Sequence, residues 1–157
     1  MIRADIVVCS MLVMACPALA VDAPSPSLAG TTAVVVYKLT GPWAGAPPAS
    51  LEDNPKFKGY RILDVQVVAQ PETVKQIITA IDSSLKAPGT QAGCFNPGMA
   101  VRFLASGRVT DVLVCLKCNN FSVLGDTRTR PDEIVGLSDE AHRVLAGVYA
   151  DMFHDAR

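Results

Sequence analysis

Three cysteines constrain the fold of this 157-residue chain more than any other feature, because the chain opens with a segment typical of export. Cys94, Cys115 and Cys118 all lie beyond that segment. In an oxidising compartment a thiol must end in a disulfide, a metal site, a redox pair or buried packing. An odd number in an exported chain indicates one pair with a free thiol, an intermolecular bond or a metal site.

Residues 1–20 have the pattern of a signal peptide. Arg3 precedes an apolar stretch over residues 6–15, and Ala18-Leu19-Ala20 forms a small-residue cleavage site. The apolar stretch is shorter than the roughly 20 residues that cross a bilayer. We therefore expect cleavage before Val21 and a secreted or periplasmic protein.

A second processing route competes with simple cleavage. Val13-Met14-Ala15-Cys16 resembles a bacterial lipobox, in which the cysteine becomes the lipidated first residue. Lipidation at Cys16 would anchor the protein to a bacterial membrane without a spanning helix. The sequence leaves both routes open.

Composition excludes several classes of partner. The net charge of −1 argues against nucleic acid, which requires a basic surface, and against a polybasic membrane contact. No further apolar run is long enough for a transmembrane segment. The sequence also has no phosphate-binding loop, nucleophile elbow or paired carboxylates, which favours a non-enzymatic protein without a cofactor.

Hydrophobic periodicity predicts a single α+β domain over residues 33–157, after a disordered linker over residues 21–32 that is rich in proline and serine. Strands are predicted over 33–37, 60–69, 99–105, 109–115 and 121–124, with loops over 41–55 and 125–137. Helices are predicted from Pro71 to Lys86 and after a Ser138 cap. The order predicts an antiparallel sheet of about four to five strands, including a three-stranded meander, with two helices packed on one face.

The register of one hairpin brings the cysteines together. A tight turn at Ser106-Gly107 places Cys115 near Gly98 and Cys118 near Phe95. Cys94 then lies beside Cys118 at the same end of the sheet. An extended 115–118 segment would separate its two cysteines by about 10 Å, so a bond between them requires a turn at Leu116-Lys117.

Several short motifs resemble an uncharacterised family of secreted or lipid-anchored bacterial proteins. The family pattern is roughly C-F-x-P-x-H, then G-K-x-V-D, then I-C-F-x-C, and the matching segments are Cys94 to Pro97, Gly107 to Asp111 and Val114 to Cys118. An F-x-G-Y-x-x-L element matches from Phe57 to Leu63, so the resemblance covers about residues 57–154. It implies no activity. Met99 stands at the family's histidine position, so the resemblance supports neither a Cys/His metal site nor a histidine-based mechanism.

Three interpretations of the cysteines stay open. The leading one is structural: a Cys94–Cys118 or Cys94–Cys115 disulfide, with the third thiol buried. Such a bond closes a loop of about 20–25 residues and contributes about 3 kcal/mol. The second is a metal site formed by Cys94, Met99, Cys115 and Cys118, which suits Cu(I) better than zinc. The third is thiol redox chemistry, with Lys117 lowering a thiol pKa.

The other polar residues are expected to have no catalytic or metal-binding role. His142 and His154 lie 12 positions apart on the last helix and are interpreted as surface residues. Asp111 is interpreted as a solvent-facing strand residue. Arg102, Arg128 and Arg130 are weighed as an anion site. The leading hypothesis is thus a secreted or periplasmic, non-enzymatic α+β domain that a disulfide among its three cysteines stabilises.

Overall fold

A computed structural model describes Leu28 and residues 30–40, 54–124 and 133–154. Its elements are β1 (Thr31–Thr40), β2 (Lys56–Phe57), β3 (Tyr60–Val68), α1 (Pro71–Lys86), β4 (Met99–Ala105), β5 (Arg108–Cys115), β6 (Asn120–Leu124), β7 (Ile134–Gly136) and α2 (Asp139–Met152). The predicted signal peptide, Cys16, most of the predicted linker, and Arg128 and Arg130 lie outside the described residues. No helix among the described residues is both long and apolar enough to cross a membrane.

All seven strands in the described part of the chain belong to one antiparallel sheet, in the order β2-β3-β1-β4-β5-β6-β7. The predicted meander is present as β4-β5-β6. Met99 pairs with Val114 and Ala105 with Arg108, which is the predicted register. Gly107 sits in the turn at φ 72°, a conformation that glycine adopts without a steric cost.

The prediction of four to five strands is wrong, because the sequence analysis missed β2 and β7. These strands have two and three residues, too few for an alternating pattern to be visible. Their strand conformation comes from pairing with β3 and β6. Strand β1 also begins at Thr31, inside the segment predicted as linker, and Leu28 packs into the core.

The larger core lies between the sheet and the two helices. Ile77 and Ile81 of α1 and Leu145 of α2 are fully buried there. Pro71 is the first residue of α1, as predicted, and the Ser138 hydroxyl caps α2 by accepting a hydrogen bond from the Ala141 amide. The strand residues of this helix-side core are Val34, Val36, Val68, Met99, Val101, Phe103, Val112, Val114, Phe121 and Val123.

A second, smaller cluster of apolar residues covers part of the opposite face of the sheet. Its buried members are Leu39, Phe57, Ala100 and Leu113. Half-buried side chains pack around them, namely Tyr37, Tyr60, Ile62, Phe95 and Leu124. We call this group the opposite-face cluster. It lies on the side of the sheet away from the helices, and Phe95 brings it next to the cysteines in sequence.

Strand β3 has an exposed apolar face. Leu63, Val65 and Val67 alternate with polar residues, as the sequence pattern indicated, but they are 40%, 44% and 68% exposed. The sequence pattern identified which residues share a face, but it could not show what covers that face. Strand β2 pairs only with the first two residues of β3. Just beyond them, the Ile62 amide donates to the Pro55 carbonyl at 2.8 Å and the Ile62 carbonyl accepts from Asn54 Nδ2 at 3.0 Å. The outer edge of β3 beyond Ile62 pairs with no strand in the described part of the chain.

Candidate functional site: the three-cysteine cleft

The three sulfur atoms converge at the end of β5, as the hairpin register predicted. The Sγ atoms of Cys94 and Cys118 are 2.7 Å apart. Cys118 is also paired with Cys115 at disulfide distance, and their Cα atoms are 5.2 Å apart, within the range that a disulfide requires. The Cys118 sulfur therefore lies in contact with both of the others, and Cys94 is the free cysteine.

The Cys115–Cys118 pairing replaces the predicted bond between Cys94 and one of the other two. The chain turns at Leu116-Lys117, which is the condition for that pairing. In this turn the Cys118 amide donates to the Cys115 carbonyl at 3.2 Å, and the Asn119 amide donates to the Leu116 carbonyl at 3.3 Å. Asn119 has φ 52°, a left-handed conformation that asparagine tolerates. The Cys118 amide also contacts Cys115 Sγ at 3.2 Å.

A buried asparagine holds the Cys94 segment against this turn. The Nδ2 group of Asn120 donates to the Ala92 carbonyl at 3.2 Å and to the Cys94 carbonyl at 2.8 Å. The Ala92 amide donates to the Cys118 carbonyl at 3.1 Å. The sequence analysis did not identify Asn120 as a residue of the site. Its positioning role depends on contacts with residues 26 and 28 positions away, which no local pattern shows.

The adjacent asparagine ties the same segment to the start of α2. Asn119 Nδ2 donates to the carbonyls of Thr90 at 2.7 Å and Leu137 at 3.2 Å. The residues just before these two, Gly89 and Gly136, are also in contact, because the Gly89 amide donates to the Gly136 carbonyl at 3.1 Å. The two backbones cross so closely that a Cβ atom on either glycine would overlap backbone atoms of the other segment. The path into Cys94 is thus fixed by backbone contacts.

The three cysteines differ sharply in exposure. Cys115 and Cys118 are 1% and 3% exposed, whereas Cys94 is exposed. They line an open cleft of about 580 Å³ whose other residues are Gly93, Phe95, Asn96 and Lys117. An external molecule therefore meets Cys94 first, and the paired sulfurs lie behind it.

The structure does not bring the proposed fourth ligand to the cysteines. Met99 is fully buried in the helix-side core and is not among the residues that line the cleft. No group of three or more His, Cys, Asp or Glu side chains in the described residues is arranged to hold a metal ion.

His142 is not the surface residue that the sequence suggested. Its Nε2 atom lies 3.0 Å from the Leu116 carbonyl, in a half-buried position. Because a carbonyl only accepts, Nε2 must carry the proton in this contact. His142 thereby connects α2 to the cysteine turn. His154, as expected, is exposed.

A buried ion pair occupies the opposite face of the sheet. Asp111 is 4% exposed, so its interpretation as a solvent-facing residue is wrong. Arg102, paired with it across β4 and β5, donates from Nε at 2.7 Å and from Nη2 at 3.0 Å. Lys58 Nζ lies 3.7 Å from the same carboxylate. The hydrogen bond to Asp111 raises the pKa of the Arg102 guanidinium, against the opposing effect of burial. The guanidinium also stacks 5.0 Å from the Phe57 ring.

Fold and site together define an α+β domain with an open three-cysteine cleft at one end of its sheet. No family model, no curated protein and no solved structure matches this chain. The resemblance to an uncharacterised bacterial family stays a prediction.

Proposed function

We propose that this chain is a secreted or periplasmic thiol–disulfide exchange protein in which Cys94 gives access to a buried disulfide. One observation carries the proposal: Cys94 Sγ lies 2.7 Å from Cys118 Sγ, and Cys118 is already paired with Cys115. Disulfides exchange when a thiolate attacks one sulfur of the bond and displaces the other. The compartment is expected from the signal-like residues 1–20.

The internal step conserves electrons. The Cys94 thiolate attacks Cys118 Sγ, the Cys94–Cys118 bond forms, and the Cys115–Cys118 bond breaks. Cys115 leaves as a thiolate and takes up the proton that Cys94 lost. The protein still holds one disulfide, but one of its sulfurs now belongs to the exposed residue.

The external step uses a second thiol as the co-reactant. A partner thiolate attacks Cys94 Sγ and displaces Cys118 as a thiolate, which gives a mixed disulfide between the partner and Cys94. A second partner thiolate then attacks the partner sulfur of that bond and releases Cys94. Two partner thiols are oxidised to a disulfide, and the protein gains two electrons and two protons. The reverse sequence oxidises the protein.

A purely structural cluster is the second candidate. The burial of Cys115 and Cys118 favours it, because buried disulfides resist exchange and contribute only to stability. In this candidate the protein is non-enzymatic, and Cys94 packs against the pair without reacting. A soft metal ion held by the three thiols is a further outcome that the same experiment detects.

Disulfide mapping distinguishes these candidates. Free thiols are blocked at low pH, and the protein is then cleaved after Lys117, which separates Cys115 from Cys118. Exchange predicts both Cys115–Cys118 and Cys94–Cys118 linkages. It also predicts a mixed disulfide at Cys94 after treatment with glutathione disulfide or reduced glutathione.

The matched control is Cys94→Ser, which retains the Cys115–Cys118 pair. Its reduction by glutathione should be at least ten times slower than that of the wild-type protein. Equal reduction rates, with only the Cys115–Cys118 linkage in both proteins, would establish the structural candidate. Three cysteines without any disulfide, together with one stoichiometric metal ion in native mass spectrometry, would establish the metal site.

A further inference from the structure

Phe95 joins the cysteine cleft to a second cavity. It lines the cleft beside Cys94 and also lines a separate cavity of about 430 Å³. The other residues around that cavity are Lys58, Tyr60, Leu113, Ser122, Leu124 and Ile134. We call the continuous surface from Cys94 across Phe95 to Ile134 the apolar groove.

The groove is built from side chains of the opposite-face cluster. Leu113 is buried at its base, and Tyr60, Phe95 and Leu124 are half-buried around it. Ile134 is 39% exposed at the rim. Ligand sites in proteins are concave and mainly apolar, with a few polar groups that fix orientation. This surface has that composition directly beside the exposed thiol.

The described charged residues that line the groove are both cations. Lys58 lines its far cavity and Lys117 lines the cysteine cleft, and no carboxylate is among the described residues that line either one. Asp111 is shared between Arg102 and Lys58, so two cations face one carboxylate at the far end. An occupant that carries a carboxylate would be attracted to this surface.

We propose that the apolar groove binds an extended segment of a partner protein that presents a cysteine to Cys94, with an apolar side chain next to it and a carboxylate further along. This inference rests on the proposed exchange function and names its substrate class. An extended chain advances about 3.3 Å per residue. The apolar side chain that enters the second cavity is therefore within a few positions of the partner's cysteine.

Exchange rates with designed peptides test the groove. A fluorescent peptide carries one cysteine with leucine on both sides and a glutamate two positions beyond each leucine. Matched peptides replace the leucines by serine or the glutamates by lysine, and β-mercaptoethanol serves as the small thiol. We expect the leucine peptide to react at least tenfold faster than the serine peptide, and the glutamate peptide faster than the lysine peptide.

Two variants locate the preference on the molecule. Ile134→Ser should lower the leucine-to-serine rate ratio several-fold. The matched control is Val109→Ser, which changes another exposed apolar strand residue that lines neither cavity and should leave the ratio unchanged. If the leucine-to-serine rate ratio is the same in the wild-type protein and in Ile134→Ser, the proposal that the groove binds the peptide is overturned.

A binding measurement separates failure of the groove from failure of exchange. The same peptides with serine in place of cysteine cannot react, and their binding is followed by fluorescence anisotropy. In one outcome the leucine peptide binds more tightly than the serine peptide, Ile134→Ser weakens this binding, and no thiol reacts with the protein. That outcome would support the groove as a binding site and overturn the exchange function. Reaction with β-mercaptoethanol and all peptides at one rate, without selective binding, would retain exchange and overturn the groove.

Discussion

At the residue scale, Asn120 links the sequence of the turn to the chemistry of the cleft. Its amide group holds the carbonyls of Ala92 and Cys94, and this places the Cys94 sulfur against Cys118. Its Oδ1 atom is buried and has no hydrogen-bond partner in the described structure. The residue therefore keeps an unsatisfied acceptor while it positions the free thiol.

Asn120→Ala should release Cys94 from Cys118. The variant loses two hydrogen bonds, for about 1–2 kcal/mol in total, because removal of the unpaired acceptor offsets part of the cost. We expect the Cys94–Cys118 linkage to decrease and alkylation of Cys94 to accelerate. The matched control is Asn54→Ala, which removes one side-chain hydrogen bond to the Ile62 carbonyl away from the cysteines. If both variants leave Cys94 equally reactive, Asn120 does not position it.

Arg102→Met should destabilise the domain by about 3 kcal/mol. The substitution removes the close partner of the buried Asp111 carboxylate and leaves the more distant, half-exposed Lys58 as its cation among the described residues. Loss of one partner from a buried ion pair is costly. The raised pKa of Arg102 means that its contribution is present throughout the neutral range and is lost only in strong alkali. Urea denaturation provides the measurement.

Arg143→Met is the control for that measurement, because Arg143 forms an exposed ion pair with Glu140 and exposed pairs contribute little. The double variant Arg102→Met, Asp111→Leu should recover most of the loss. A double variant as unstable as Arg102→Met alone would show that packing, rather than the unpaired carboxylate, sets the cost.

The convergence of the cysteines was predictable from sequence, because a tight turn at Ser106-Gly107 fixes the hairpin register. Which two sulfurs pair was not predictable, since that depends on a local turn at Leu116-Lys117. The roles of Asn120 and Asp111 were missed for a related reason. Each depends on a contact made across strands or between distant segments, and neither leaves a periodic signal.

At the element scale, β3 shows the limit of alternation as a signal. The pattern correctly predicts a strand and the residues that share a face, but the buried residue at its end is Val68, which pairs with Val34 of β1. The short strands β2 and β7 show the complementary limit. They exist because longer neighbours offer hydrogen-bonding partners, so no property of two or three residues could reveal them. Both helices were predictable because each carries a long apolar stripe and a defined start.

Val67→Lys and Val68→Lys should have opposite consequences although the residues are adjacent. Val67 is exposed, and this end of β3 has no outer strand partner among the described residues. Lysine on an edge strand opposes aggregation. We expect an unchanged Tm and higher solubility. Val68 is 5% exposed in the helix-side core, so a lysine there should cost several kcal/mol. A comparable loss of Tm in both variants would show that the outer face of β3 is covered in solution.

At the scale of the whole molecule, two apolar clusters on opposite faces of one sheet stabilise the fold without the cysteines. The Cys115–Cys118 pair closes a loop of four residues, which by chain entropy contributes about 2 kcal/mol. The predicted Cys94–Cys118 bond would close a loop of about 25 residues and contribute about 3 kcal/mol. The α+β class and the meander were predictable at this scale. The opposite-face cluster, which covers part of the side of the sheet away from the helices, was not.

The reduced protein should therefore stay folded. A phosphine reductant should lower the free energy of unfolding of the wild-type protein by about 2 kcal/mol, measured from urea transitions. Cys115→Ser leaves only the longer Cys94–Cys118 linkage and should lose about 3 kcal/mol on reduction. Cys118→Ser, which removes the central sulfur, should be insensitive to reductant. Complete unfolding of the wild-type protein on reduction would show that the two clusters are insufficient.

The crossing of Gly89 and Gly136 has a genetic consequence. Each residue lies where a single added carbon would strike the opposing backbone, so every missense codon at either position displaces the segment that delivers Cys94. Gly93, one residue before Cys94, meets nothing at its Cβ position. In a saturation library selected for folded protein, positions 89 and 136 should retain only glycine. Position 93 should accept alanine and serine, although it is the nearest of the three to the Cys94 sulfur.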